Sequence, residues 1–190
     1  MKRFHLLTLF VFVLAAGLVT TLLAQQAAQK PFVPVQDELL WKPDPADWLS
    51  WRRTLDGQGF SPLKEIDRNN VGKLQLKWTK PITGAQNEST PLVYKGVMYV
   101  PNSGDIIQAY DAKTGNILWE YKRPSGGGMR NRTMAIWGTM LLDASGDNQI
   151  YAIDAQTGKL VWETAVLPPK APASLKHLST RPADCTPKSS

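Results

Sequence analysis

Short apolar runs separated by turn-forming residues set the pattern of residues 91–163. PLVY (Pro91–Tyr94) and VMYV (Val97–Val100) flank the dipeptide Lys95-Gly96. IIQAY (Ile106–Tyr110) follows the turn Ser103-Gly104-Asp105, and NILWEY (Asn116–Tyr121) follows Asp111 to Gly115. Runs this short, rich in β-branched and aromatic residues and bounded by Gly, Asp and Ser, predict strands. The plan then recurs as MAIWG (Met134–Gly138), TMLLD (Thr139–Asp143), QIYAI (Gln149–Ile153) and KLVWE (Lys159–Glu163), with turns at Ser145-Gly146-Asp147 and Asp154 to Gly158. Gly115 can take the positive φ that its turn demands, and the Asp111 carboxylate can bond neighbouring turn amides. Four short antiparallel strands per period predict a propeller blade. No 3.6-residue apolar periodicity of useful length is present, which excludes an αβ repeat.

The two units share a phrase: AYDAKTGNILWE at 109–120 and AIDAQTGKLVWE at 152–163, 43 residues apart. A weaker copy, KLQLKW (Lys73–Trp78), alternates and ends in Trp78, so Trp78, Trp119 and Trp162 are spaced by 41 and 43 residues. One sheet cannot bury both of its faces alone, so repeated sheets must stack. An indole at a fixed station of each outer strand would bury roughly 150–250 Å² on the turn of the next blade. The expected fold is all-β, a partial propeller of about two to three four-stranded antiparallel blades with an N-terminal signal segment. The expected organisation is 1–28 signal peptide or membrane anchor, 29–60 an extension packing on the propeller, 61–163 blades and 164–190 an irregular or disordered tail.

The net charge of +6 does not change this picture. The ends carry it: residues 25–163 hold 16 basic and 15 acidic side chains. Nucleic-acid binding needs its positive charge clustered on a folded face, so that class is excluded. MKRFHLLTLFVFVLAAGLVTTLLA has two cations and then a long apolar run, the layout of a secretory signal, with cleavage expected near Ala24 to Ala28. The alternative is a retained anchor, since the run is long enough to span a bilayer. The expected location is periplasmic or secreted. Cys185 is the only cysteine, so no intrachain disulfide forms, and His5 and His177 are the only histidines. No zinc site or covalently attached haem can be argued from this set.

The phrase AxDxxTGxxxW, with GQGFSPLKEIDRNNVGKLQLKW (Gly57–Trp78) and NESTPLVYKGVMYV (Asn87–Val100), resembles the quinoprotein alcohol dehydrogenases. These are eight-bladed propellers with tryptophan-docking motifs that bind pyrroloquinoline quinone (PQQ), and the likeness spans about 48–163. The resemblance implies that Glu88, in its E-x-TP segment, contacts the quinone, and that Arg132, in the pair Asn131-Arg132, contacts it too. A guanidinium fork suits a cofactor with three carboxylates, and a carboxylate accepts a hydrogen bond. Trp137, near Arg132 in sequence, either stacks on the cofactor or fills the core between blades. Trp41, Trp48 and Trp51 are expected to pack the N-terminal segment over the propeller.

This sequence departs from the family pattern in two ways. Where many members carry adjacent cysteines in a strained disulfide ring, it reads Gly126-Gly127. The family's metal ligands and catalytic Asp lie on later blades, so no catalytic or metal-binding residue is expected here. The 27 residues after Glu163 include five prolines and no strand alternation, as if the chain were truncated or its frame altered. The resemblance implies oxidation of an alcohol or sugar by hydride transfer to PQQ, aided by calcium or a lanthanide, with a cytochrome c as acceptor. It also implies that these residues alone are inactive. The alternative is a cofactor-free propeller scaffold that binds protein partners in the cell envelope. Membrane contact is expected only through an uncleaved N-terminal segment.

Overall fold

A computed structural model describes residues 31–82, 88–124 and 134–166. The chain separates into two units, 1–33 and 34–190, and all the described helices and strands belong to the second. Residues 1–30, with the expected signal segment, and the tail from 167 onward lie outside the described residues. Among the described residues, no helix is long and apolar enough to cross a membrane.

Among the described residues, eight strands form two four-stranded antiparallel sheets, each in sequential order. The first sheet contains β1 (Leu92–Tyr94), β2 (Val97–Asn102), β3 (Ile106–Asp111) and β4 (Ile117–Lys122). The second contains β5 (Ala135–Trp137), β6 (Met140–Ala144), β7 (Gln149–Asp154) and β8 (Leu160–Ala165). This is the expected partial propeller, with two blades. Registers are equivalent residue by residue: Tyr94 pairs with Val97 as Trp137 does with Met140, and both sheets slip register after Ala109 or Ala152. Pro101 is tolerated in β2 because it lies beyond the last residue that β1 reaches, Tyr99, where no partner on that side needs its missing N–H.

Strict alternation gives every sheet two distinct faces. In the first sheet, Leu92, Tyr99, Ala109 and Trp119 share a row. In the second, the equivalent row is Ala135, Leu142, Ala152 and Trp162. Tyr94, Tyr99 and Ile107 of the first sheet and Ile136, Leu141, Tyr151 and Ile153 of the second are almost wholly buried and form the core.

The alternation in KLQLKW does not yield a strand. Val71–Lys73 is a single 3₁₀ turn, and residues 74–82 run as irregular backbone with Leu74 and Leu76 exposed at 61% and 82%. A strand needs a hydrogen-bonding neighbour, and none of the described strands pairs with this segment. The N-terminal extension is likewise held differently from expectation. Trp48 is half-buried, but Trp41 and Trp51 are exposed, and Arg52 stacks over the Trp51 ring at 4.6 Å. Attachment comes from the backbone and from smaller side chains. Trp48 N–H donates to Val93 O (2.7 Å), Val35 bridges Gly138, and the buried Asp47 carboxylate accepts from the Lys95 amide (2.9 Å). The short helix α1 (Asp37–Trp41) buries no residue. Large amphipathic rings find solvent where the extension is one chain thick; Val35 and Leu49 are small enough to be covered.

Candidate functional site

The antiparallel order gives the sheets two ends. At one end lie the β1–β2 and β3–β4 turns and their counterparts. At the other lie the start of β1, the β2–β3 turn, the end of β4 and the start of β5.

At the first end the shared phrase builds the same object twice. Asp111 Oδ1 accepts from Thr114 N–H (2.7 Å) and Thr114 Oγ1 (2.8 Å), and Gly115 N–H donates to Asp111 O. Those bonds to Thr114 hold the Asp111 carboxyl below its usual range. Asp154, Thr157 and Gly158 repeat the arrangement. Gly115 and Gly158 sit at φ +71° and +70°. A Cβ on Gly115 would lie 2.6 Å from Trp78, and one on Gly158 would lie 2.6 Å from Trp119. Glycine is therefore required twice over, by backbone conformation and by the indole lying flat on the turn. Each indole N–H then donates to a turn carbonyl: Trp78 Nε1 to Ala112 O and Trp119 Nε1 to Ala155 O, both 3.2 Å. Trp162 occupies the third station on the far face of the second sheet, 37% exposed.

The other end holds a polar cluster that the repeat pattern does not announce. Arg123, one residue past β4 and 3% exposed, reaches across to the second sheet. Its Nη2 and Nε donate to Glu163 (2.7 and 3.2 Å), and its Nη1 donates to Asp147 (2.7 Å) and to Ser145 Oγ (3.0 Å). Asp105 from its own sheet lies 3.6 Å from Nη1, and Ser145 Oγ donates to the same Asp105 carboxylate. A fork-to-fork pair of this kind fixes orientation as well as distance. It also lowers the Glu163 carboxyl, first through the Arg123 hydrogen bond. The signal for this cluster was present as two acidic turns and a Trp-Glu pair. Nothing in the repeat marked Arg123, whose counterpart 43 residues on is Val166.

Of the residues expected to hold a cofactor, Glu88 is exposed and lies four residues before β1. Arg132, Asn131 and the Gly126-Gly127 pair lie outside the described residues. β4 ends at Lys122 and β5 begins at Ala135, both at the end of the sheets where β1 starts. Trp137 is neither in the core nor at that end. It is 52% exposed at the β5–β6 turn, with Nε1 donating to Asp37 Oδ1 at 3.0 Å. The reason is parity: Trp137 alternates with Ile136, and Ile136 takes the buried face. No group of three or more His, Cys, Asp or Glu side chains arranged for a metal ion occurs among the described residues.

Comparison with known proteins agrees with this architecture. A family model described as outer membrane protein assembly factor BamB matches residues 37–184. The dehydrogenase subunit of the quinone alcohol dehydrogenase of Gluconacetobacter polyoxogenes is 44% identical over 78 residues, which are 40% of this chain and 11% of that protein. Quinohemoprotein alcohol dehydrogenase ADH-IIG of Pseudomonas putida is 39% identical over 79 residues, 41% of this chain and 11% of that one. The solved structure of ADHIIG from Pseudomonas putida HK5 superposes with a TM-score of 0.66 and 32% identity, covering 72% of this chain and 22% of that one. A europium-containing methanol dehydrogenase gives a TM-score of 0.61 at 30% identity, over 68% of this chain and 25% of that one. The matched part thus spans about a tenth of the curated relatives. The chain belongs to the propeller family of that matching model, and its blades are similar in sequence and fold to those of quinoprotein alcohol dehydrogenases.

Proposed function

We propose that this chain supplies the early blades and one wall of the cofactor site of a PQQ-dependent alcohol or sugar dehydrogenase in the periplasm or outside the cell. The observation that carries the reading is the match to quinoprotein alcohol dehydrogenases in sequence and in fold, at 44% identity and a TM-score of 0.66. Glu88 supports it. It is exposed, four residues before β1. The donor chemistry fits: Glu88 accepts a hydrogen bond, and Arg132 pairs with a carboxylate. Held there, PQQ would supply a hydride acceptor for oxidation of an alcohol. In this reading Glu88 and Arg132 would orient it, and calcium or a lanthanide would be held by residues of later blades. A cytochrome c takes the electrons, in keeping with relatives named quinohemoprotein alcohol dehydrogenase and 1-butanol dehydrogenase (cytochrome c).

Titration with PQQ tests the reading, because the seven tryptophans report binding by quenching. Saturable quenching is expected, weakened roughly tenfold or more by Glu88→Gln or Arg132→Met, the loss of one charge-assisted hydrogen bond. Residues 1–190 alone are expected to reduce no dye with alcohol, PQQ and calcium; turnover would overturn that part. The description of the matching family model favours a second reading, a cofactor-free scaffold for envelope proteins. Absence of quenching at high micromolar PQQ in a folded sample would favour the scaffold.

A further inference from the structure

Residues 71–82 offer apolar side chains and backbone to solvent at once. Val71, Leu74, Leu76 and Ile82 are all exposed, Leu76 the most at 82%. The 3₁₀ turn ends with Leu74 N–H donating to Val71 O, and Leu74 leaves it in extended conformation (φ −60°, ψ 137°). Beyond that bond, no hydrogen bond joins the backbone of residues 75–82 to another described residue. One station of the segment is fixed. Trp78 lies on the Gly115 turn through its indole N–H and stacks on Tyr110 with ring centroids 6.4 Å apart. An alternating run held at one ring, with its peptide groups unpaired and its leucines in water, is an open template for another strand.

We propose that residues 72–80 pair antiparallel with the same residues of a second copy of this chain, about a two-fold axis through Leu76. Alternation sets the faces, and charge sets the register. With Leu76 on the axis, Leu74 opposes Trp78, Gln75 opposes Lys77, Lys73 opposes Thr79 and Gly72 opposes Lys80. Apolar side chains meet apolar ones, and no lysine meets a lysine. An axis through Gln75 would set Lys73 against Lys77, and one through Lys77 would set that lysine against itself. Like charges directly opposite are unfavourable, so both registers lose to the one through Leu76. An axis between Gln75 and Leu76 would set Leu74 against Lys77. The contact is isologous and closes at two copies, with each Trp78 kept on its own turn. A two-stranded ribbon is marginally stable by itself, so the association is weak.

Sedimentation of the full chain should show a mass that rises with concentration toward that of a dimer; a monomer at every concentration overturns the proposal. Leu76 is so exposed that replacing it leaves the fold intact. Leu76→Lys puts two cations on the axis and should weaken association roughly tenfold or more. Gln75→Glu would face Lys77 twice in the dimer and should tighten association about two- to tenfold at low salt, a gain that high salt removes. Unchanged association in both variants overturns the proposal. Cross-linking then reads the register in a Cys185→Ser background. Leu76→Cys should form a disulfide between copies under mild oxidation, because residues on the axis bring their Cα atoms within about 7 Å. Thr79→Cys should not, since its copy would lie about 20 Å away along the paired strands. Equal cross-linking at the two positions, or none at residue 76, overturns the proposal, and association through any other surface gives that result.

Discussion

The first sheet is contacted from two sides, by Trp78 of the 74–82 segment and by the second sheet, and the two joints differ instructively. The indole contact is the same in both: a tryptophan flat on a positive-φ glycine, with its N–H on the carbonyl of an alanine three residues before that glycine. The polar rows are not. On the first sheet the row is Val100, Gln108 and Glu120; the Asn102 amide and Tyr110 hydroxyl donate to Gln108 Oε1, and Gln108 Nε2 donates to the Glu120 carboxylate. On the second it is Asp143, Tyr151 and Glu163, met by a buried arginine. The phrase that repeats in sequence fixes how sheets stack. The positions that do not repeat decide what each joint is made of, and so which joint responds to charge and pH.

The largest expected effect contrasts one station in two settings. Trp119→Ala should cost about 3–5 kcal/mol in urea unfolding, the loss of a packed indole, whereas Trp162→Ala should cost less than about 1 kcal/mol. Equal costs would mean that the glycine contact contributes nothing. Arg123→Met should follow at about 3 kcal/mol, because it leaves the fully buried Asp105 without the guanidinium. Asp105→Asn in the same chain should recover part of that loss, and a double-mutant cycle measures the coupling. Gly115→Ala and Gly158→Ala should each cost about 2–3 kcal/mol, through forced left-handed backbone and contact with the ring. Near-identical values would establish that the two indole contacts are one device used twice.

The smallest effect is the acid limb of the stability curve. The Arg123 hydrogen bond lowers the Glu163 carboxyl. Burial opposes ionisation of Asp147, but hydrogen bonds from Arg123 and Ser145 outweigh it and lower that carboxyl too. Groups lowered on folding stabilise above their unfolded values and lose that contribution as pH falls through the folded ones. Asp143 acts in the opposite sense over its own window between about 4 and 7. Thermal unfolding should therefore show a maximum at mildly acidic pH. Arg123→Met should blunt the acid side, and Asp143→Asn should flatten the neutral side.

The strands and turns could be read from the chain because their cause is local. Period-two alternation places side chains, and a glycine at positive φ ends each β3–β4 type turn, so all eight expected runs needed only a residue or two of adjustment at their ends. KLQLKW failed because alternation states a preference while a strand requires a neighbour, which its own residues do not supply. The parity that sends Ile136 inward and Trp137 outward was also in the pattern, but which face is inner depends on the sheet opposite. Glu88 and Arg132 were nominated by resemblance; spacing alone places neither.

Two four-stranded sheets and the stations of their indoles were written into the residues themselves, because repeat, turn chemistry and alternation act within a few residues of each position. That Arg123, Asp105, Asp143 and Glu163 share one buried joint was settled by the stacking of the sheets. Electrostatics in a desolvated site depends on distances across those sheets, and residues as far apart in the chain as Asp105 and Glu163 meet around one guanidinium only after the sheets have stacked.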